Sequence, residues 1–378
     1  MTRLAVYGYF GMGNLGNEGT LAAFLDHVRT RHPEVELRGL VADPEVVRRE
    51  HGLPAVRLMA YRPGPGGGPL RRFAKLASRL WDVPRTWRLT RDVDLLVVPG
   101  TGVLETNLTP GPAGLPYWLF LAALSCRVRG RRVVLVGIGA EPAAHPLTRL
   151  LHRGTARLAQ VSFRDEASRA AVAAYGRTGP VHPDLAFALP VPPSHPPRPG
   201  HLVLGIMQYA DLDSVTARLV VAVSRLVGAG RTVTLVVGDI ADHPMADRIA
   251  AEVTARTPGR PGAVTVSLAD TLPALMREMA EAEVVVASRF HNLLCALALG
   301  RPTVSLSYAD KHRRLLTEFG LGELEQPLAD IDVELLLEHI ERAPKLAAEP
   351  GTAARAAAVR ERYRVEVTDH LERALALG

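Results

Sequence analysis

Residues 3–20 read RLAVYGYFGMGNLGNEGT: an apolar run, a glycine-rich turn and the start of a helical pattern. Strand, glycine turn and helix form the repeating unit of doubly wound sheets, so this stretch sets the expectation for the whole chain. The glycines of Gly11-Met12-Gly13-Asn14-Leu15-Gly16 match the dinucleotide fingerprint in spacing and in context. Two features argue for a different ligand. Glu18 puts a carboxylate at the mouth of the helix, where a pyrophosphate would have to bind. Asp43, the acid that would take a ribose, lies farther from the glycines than the usual ~20 residues. Asn14, Asn17 and Glu18 can instead exchange hydrogen bonds with neutral hydroxyls, as a sugar-binding loop requires. The plainer alternative is that both asparagines cap the helix and Glu18 complements its dipole.

Outward from this unit, apolar runs alternate with helical patterns. Strands are expected at Leu4–Tyr9, Glu36–Val41, Asp94–Val98, Val133–Gly137, Leu202–Met207, Thr232–Val237, Val264–Ser267, Val284–Ser288 and Thr303–Ser307. Continuous apolar strands joined by helices imply parallel sheets covered on both faces. Pro190–Pro199, PVPPSHPPRP, carries six prolines in ten residues and breaks the pattern, which restarts at His201. The expected architecture is α/β: two doubly wound, Rossmann-like domains facing a cleft. An N-terminal domain (1–189) is followed by a proline-rich linker (190–200) and a second α/β domain (201–345). A C-terminal helical segment (346–378) is placed to brace the first domain. Pro63–Pro69, PGPGGGP, reads as a flexible loop.

The 378 residues are 47% hydrophobic and 22% charged, the balance of a soluble globular chain. Two cysteines, Cys126 and Cys295, form neither a disulfide framework nor a zinc pattern and suit a reducing compartment. The N-terminus reads as a strand and not as a secretory signal, so a cytoplasmic location is expected. Leu115–Val128 is strongly apolar but shorter than the ~20 residues that span a bilayer, and reads as a buried helix. The formal charge of +6 favours anionic ligands. No interleaving of aromatic and basic residues points to nucleic acid.

In the second half, VVVASRFHNLLCALALGRPTVSLSYADKHRR spans Val284–Arg314. A buried strand ends at Ser288, Arg289 and His291 follow at the turn, and a helix is expected over Asn292–Leu299, stopped by Gly300. Lys311 lies just past the next strand. Arg289, His291 and Lys311 thus emerge at the carboxyl edge of a parallel sheet, where open α/β sheets bind ligands. Two cations and an imidazole beside a helix N-terminus make a site for a compact anion that gains or loses a proton. In the first half, Phe163-Arg164-Asp165-Glu166-Ala167-Ser168 opens another helix, with Asp165 able to orient Arg164 through a bidentate pair.

Taken together, these segments resemble the polysaccharide pyruvyl transferase family. The matching motifs are Gly13-Asn14-Leu15-Gly16-Asn17-Glu18, Pro99-Gly100-Thr101-Gly102, Phe163–Ser168, Pro183-Asp184, Ser288-Arg289-Phe290-His291 and Tyr308-Ala309-Asp310-Lys311, running from about residue 4 to about residue 320. The resemblance implies a fold similar to the GT-B glycosyltransferases. It also implies transfer of the pyruvyl (enolpyruvyl) group of phosphoenolpyruvate to hydroxyls of a saccharide acceptor, with a pyruvate ketal formed and phosphate released. No cofactor or metal is expected. Arg164, His291 and Lys311 would contact phosphoenolpyruvate, and Arg289 joins them by its place beside His291. The helix start at Asn292 would help hold the phosphate. His291 would be the general acid. Glu18, Asn14 and Asn17 would orient the acceptor, with Glu18 retaining a basic role. The family commonly carries Asp where this chain has Asn17.

Two other readings stand beside this one: a nucleotide-sugar glycosyltransferase of the same architecture, and a carbohydrate-binding protein without turnover. Leu70–Trp81, LRRFAKLASRLW, has the pattern of a basic amphipathic helix. It fits either an ordinary packed helix or peripheral attachment at the inner membrane face, where a lipid-linked saccharide would be presented.

Overall fold

The computed structural model describes residues 2–59, 69–105, 111–193, 196–208 and 212–376, with side chains outside 69–77 and 212. Most of the Pro63–Pro69 loop lies outside the described residues. The chain forms two compact units: residues 1–12, 20–185 and 366–378, and residues 13–19 and 186–365.

The first unit is built on β1 (Arg3–Gly8), β2 (Glu36–Val41), β3 (Ala55–Arg57), β4 (Leu95–Pro99), β5 (Arg132–Ile138) and β6 (Gln160–Phe163), all parallel, in the order β3-β2-β1-β4-β5-β6. Its helices are α1 (Leu15–Arg31), α2 (Pro44–His51), α3 (Pro69–Leu89), α4 (Leu115–Val128), α5 (Pro146–Leu158) and α6 (Glu166–Ala173). The central strands are buried along nearly their whole length, as sheets covered on both faces require. Helix starts follow local chemistry: Asp43 caps α2 by accepting from the Glu45 N–H, and Asp165 caps α6 by accepting from the Ser168 N–H.

The second unit repeats the plan with β7 (His201–Ile206), β8 (Thr232–Val237), β9 (Val264–Val266), β10 (Val284–Ala287), β11 (Thr303–Ser307) and β12 (Glu325–Pro327), in the order β12-β11-β10-β7-β8-β9. Its helices are α7 (Leu212–Gly228), α8 (His243–Arg256), α9 (Leu272–Ala280), α10 (Phe290–Ala298), α11 (Asp310–Glu318), α12 (Val333–Ala348) and α13 (Pro350–Leu375). Each sheet therefore reverses direction once, between β1 and β4 and between β7 and β10, the switch points where such sheets take ligands.

The structure departs from the sequence reading at the edges. The strands β3, β6 and β12 were not expected; they are three or four residues long and sit at sheet margins, too short to carry an apolar run. The first unit gives up Gly13–Gly19, expected in the N-terminal domain, to the second. The last helix is divided, its residues from Glu366 onward packing with the first unit.

Histidines and an arginine hold that last segment. His370 Nε2 lies 2.7 Å from Ser162 Oγ, its ring stacks on His182 at 3.9 Å, and His182 Nδ1 meets Glu366 at 2.9 Å. Arg132 donates to the carbonyls of Ala374 and Leu375, closing the helix end. Burial, aided by His182 and Arg373, pushes the His370 imidazole down to about 3. Its folded pKa lies below the unfolded value of about 6.5, so the unfolded chain binds the extra proton and stability falls as pH drops through that window. His152 and His312, each pushed by burial to about 4, add to the same trend. Thermal midpoints measured from pH 7 down to pH 4.5 should therefore decline, and His370→Gln, which keeps a donor for Ser162, should shrink the decline. An unchanged slope in that variant would assign the acid sensitivity to other groups.

Candidate functional site

The site in the second unit forms where the N-terminal loop meets the carboxyl edge of the sheet. Leu15 N–H donates to the Gly238 carbonyl at 3.0 Å, and Ile240 N–H donates to the Gly13 carbonyl at 3.0 Å. Asn14 Nδ2 donates to Asp239 at 2.9 Å, while its Oδ1 accepts from the Asn17 N–H at 3.1 Å. The approach is close enough that only glycine fits. A methyl group on Gly16 would overlap the His291 imidazole, and one on Gly19 would overlap Leu272. Gly13 also takes a φ of 80°, in the left-handed region that favours glycine.

Asn14 thus docks the loop through one of its two amide N–H groups and caps the helix through its oxygen. Asn17 and Glu18, 8% and 4% exposed, are buried in the same loop and first turn.

Beneath the loop, Ser288 Oγ donates to the Gly205 carbonyl at 2.6 Å and fixes the turn from β10 into α10. Arg289 is the next residue. Its Nε and Nη2 bind the two carboxylate oxygens of Asp242 at 2.5 and 2.7 Å, and Asp242, 0% exposed, also accepts from the Gln208 N–H. Burial opposes the Arg289 charge most, but the hydrogen bonds and charge of Asp242, with Asp239 and Tyr308, together outweigh it and raise the pKa. One edge of the fork is thus held by protein, and Nη1 bonds to none of the described residues. The oriented arginine that the sequence reading placed at Arg164–Asp165 is realised here by Arg289 and Asp242, which are 47 residues apart.

His291 and Asn292 follow in the first turn of α10. Asn292 is 0% exposed, lies against Gly205 and Gly238, and has neither amide atom hydrogen-bonded within the described residues. An unpaired buried amide costs about 1–3 kcal/mol, so its retention calls for a partner. Lys311 Nζ sits 5.1 Å from the Phe290 ring centre and 5.3 Å from that of Tyr308. Among the described residues no carboxylate pairs with it. His291 and Lys311 both lower the proton affinity of buried His312, behind the larger effect of burial, and the Phe290 ring contacts all three side chains. The structure therefore brings Arg289, His291, Asn292 and Lys311 to one sheet edge.

Arg164 lies in the first unit, where its side chain is 8% exposed. Its Nη2 donates to Glu105 at 2.6 Å, Asp184 is 3.7 Å from Nη1, and Asp165 is 3.9 Å from Nε. Asp165 is thus no bidentate partner: its carboxylate caps α6, and Glu105 takes the expected place. Methyl groups on Gly102 or Gly139 would collide with the Glu105 carboxylate, so the Pro99–Gly102 turn keeps glycine to admit this pair. Glu105, just past the Pro99–Gly102 turn, Arg164 of the Phe163–Ser168 motif and Asp184 of the Pro183-Asp184 motif meet here.

A further cluster, unsuspected from sequence, joins His27, His32 and Glu372 in the first unit, with ligand atoms within 4.8 Å of one another. Each carboxylate oxygen faces a different imidazole, at 3.3 and 3.1 Å, the arrangement of an ion-pair bridge between α1 and α13.

These environments separate supporting residues from exposed ones. Asp242→Ala leaves the Arg289 charge without its buried counterion and should cost about 3 kcal/mol in urea unfolding. Lys311→Ala removes only a partly exposed cation–π contact and should cost less than about 1 kcal/mol. Equal losses would mean that Lys311 is structural.

A model of the polysaccharide pyruvyl transferase family matches residues 14–310. No curated protein matches the chain. Among solved structures, a UDP-N-acetylglucosamine 2-epimerase is 14% identical with a TM-score of 0.64, covering 99% of this chain and 94% of that one. The UDP-GlcNAc 2-epimerase of Methanocaldococcus jannaschii is 11% identical with a TM-score of 0.59, covering 96% and 100%. The glycosyltransferase SnogD of Streptomyces nogalater is 16% identical with a TM-score of 0.58, covering 100% and 99%. These likenesses concern the fold, two Rossmann-like parallel-sheet domains shared by GT-B glycosyltransferases and epimerases. The match over residues 14–310 takes in the loop on His291, the Glu105–Arg164–Asp184 cluster and Arg289, and the chain belongs to the polysaccharide pyruvyl transferase family.

Proposed function

We propose that the protein transfers the pyruvyl group of phosphoenolpyruvate to two hydroxyls of a saccharide acceptor, giving a pyruvate ketal and inorganic phosphate. The observation that carries this reading is Lys311, a cation without a carboxylate partner among the described residues, at the same sheet edge as His291 and the start of α10. A dianionic phosphate suits a cation and a helix N-terminus together.

The chemistry runs in two additions. A proton goes to the methylene carbon, making it a methyl group, while an acceptor hydroxyl oxygen bonds to the central carbon and gives up its own proton. The bond from that carbon to the phosphate oxygen then breaks. A second hydroxyl adds to the same carbon and loses its proton, which balances the phosphate released. His291 is the proposed acid for the first proton, with Nδ1 covered by Gly16. Arg289, steered by Asp242, offers Nη1 to the donor carboxylate, and Lys311 with the first turn of α10 takes the phosphate. Arg164 is the further donor contact implied by family membership, and Glu18 the acceptor-side base. No step calls for a cofactor.

Purified protein given phosphoenolpyruvate and a panel of lipid-linked and nucleotide-linked saccharides should release phosphate only with an acceptor. His291→Ala should slow that release by ~10²–10⁴-fold, the usual loss for a positioned acid. Acceptor binding without phosphate release, restored to turnover by Asn17→Asp, would favour a carbohydrate-binding protein without activity.

A further inference from the structure

The exposed half of α3 inverts the usual rule for a surface helix. Its inward stripe is polar: Asp82, Thr86 and Thr90 are 0%, 6% and 0% exposed. Asp82 accepts from Trp118 Nε1 of α4 at 2.7 Å and from Arg79 of its own helix at 3.2 Å, and Thr90 Oγ1, just past the end of α3, bonds Ser125 Oγ of α4 at 2.6 Å. Its outward residues are apolar: Leu80 is 75% exposed, Trp81 64%, Val83 46% and Trp87 47%. Next to them on α4, Val128 is 64% exposed, and Arg129 lays its guanidinium 3.5 Å over the Trp87 ring. The helix thus packs on α4 through polar groups, while Leu80 and Trp81 face outward.

Asp82 is the only acidic residue in Pro69–Arg91 and Leu115–Arg132, and it is buried. Arg88 and Arg91 are exposed, with no side-chain partner among the described residues. Trp81, Pro84, Arg85, Arg88 and Leu89 line an open recess of about 290 Å³. Arg71, Arg72 and Lys75 lie in the first half of the same helix.

We propose that this face docks on an anionic lipid bilayer. Leu80, Trp81, Val83 and Trp87 enter the boundary between headgroups and acyl chains, and Arg88 and Arg91 meet lipid phosphates. Tryptophan suits that depth because its ring is apolar and its N–H polar, and unpaired arginines supply attraction to anionic lipid. No described helix is long and apolar enough to cross a membrane, so the contact is peripheral. The inference is independent of the reaction proposed above.

The test is co-sedimentation of the full chain with vesicles of phosphatidylcholine alone or mixed with phosphatidylglycerol. Binding should require the anionic lipid, weaken with salt, and shift tryptophan emission to the blue. Leu80→Ser with Trp81→Ser should reduce binding at least ~10-fold, as expected for two large apolar groups kept out of the bilayer, with an unchanged thermal midpoint. The inference is overturned by absence of binding to anionic vesicles, or by binding that the double variant leaves intact. It is equally overturned if the protein is a dimer that the double variant makes monomeric, since the face would then be covered by a second copy.

Discussion

Everything at the second unit's sheet edge depends on the absence of a side chain at Gly16. Because no Cβ stands there, the first turn of α1 rests on His291, and the hydrogen bonds from Leu15 to Gly238 and from Ile240 to Gly13 close the contact. A loop that begins as part of the first Rossmann turn thereby becomes a wall of the second unit's site. The glycine spacing that looks like a nucleotide fingerprint is satisfied by protein against protein. Its carboxylate, Glu18, is 4% exposed instead of repelling a pyrophosphate.

Around that contact the charges are held in two different ways. Arg289 is fixed by a fully buried carboxylate and keeps one edge of its fork outside the pair, whereas Lys311 rests on the faces of Phe290 and Tyr308 with no counterion among the described residues. The first kind of cation is rigid and remains charged; the second is available to an anion. Arg164, among three carboxylates, is a third kind, whose orientation is set by Glu105.

Much of this was legible from the sequence because it lies in local pattern. Long apolar strands and the end of β10 running into Arg289 and His291 are written in consecutive residues. What was missed has no local signal. The edge strands β3, β6 and β12 are too short for periodicity to register. Asp242 and Glu105 find their arginines across 47 and 59 residues, and Glu372 reaches His32 across 340. The exposure of Trp81 was also beyond pattern: amphipathicity identifies two faces but not which one turns inward, and here buried Asp82 and Thr90 decide it.

The central claim is that the edge formed by His291, Arg289 and Lys311 receives phosphoenolpyruvate. Calorimetric titration of the protein with phosphoenolpyruvate and, separately, with UDP tests it most directly. The account predicts that phosphoenolpyruvate binds, that Lys311→Ala abolishes most of that heat while the protein stays folded, and that UDP gives none. Tight binding of UDP with no heat from phosphoenolpyruvate would contradict the account and assign the edge to a nucleotide sugar.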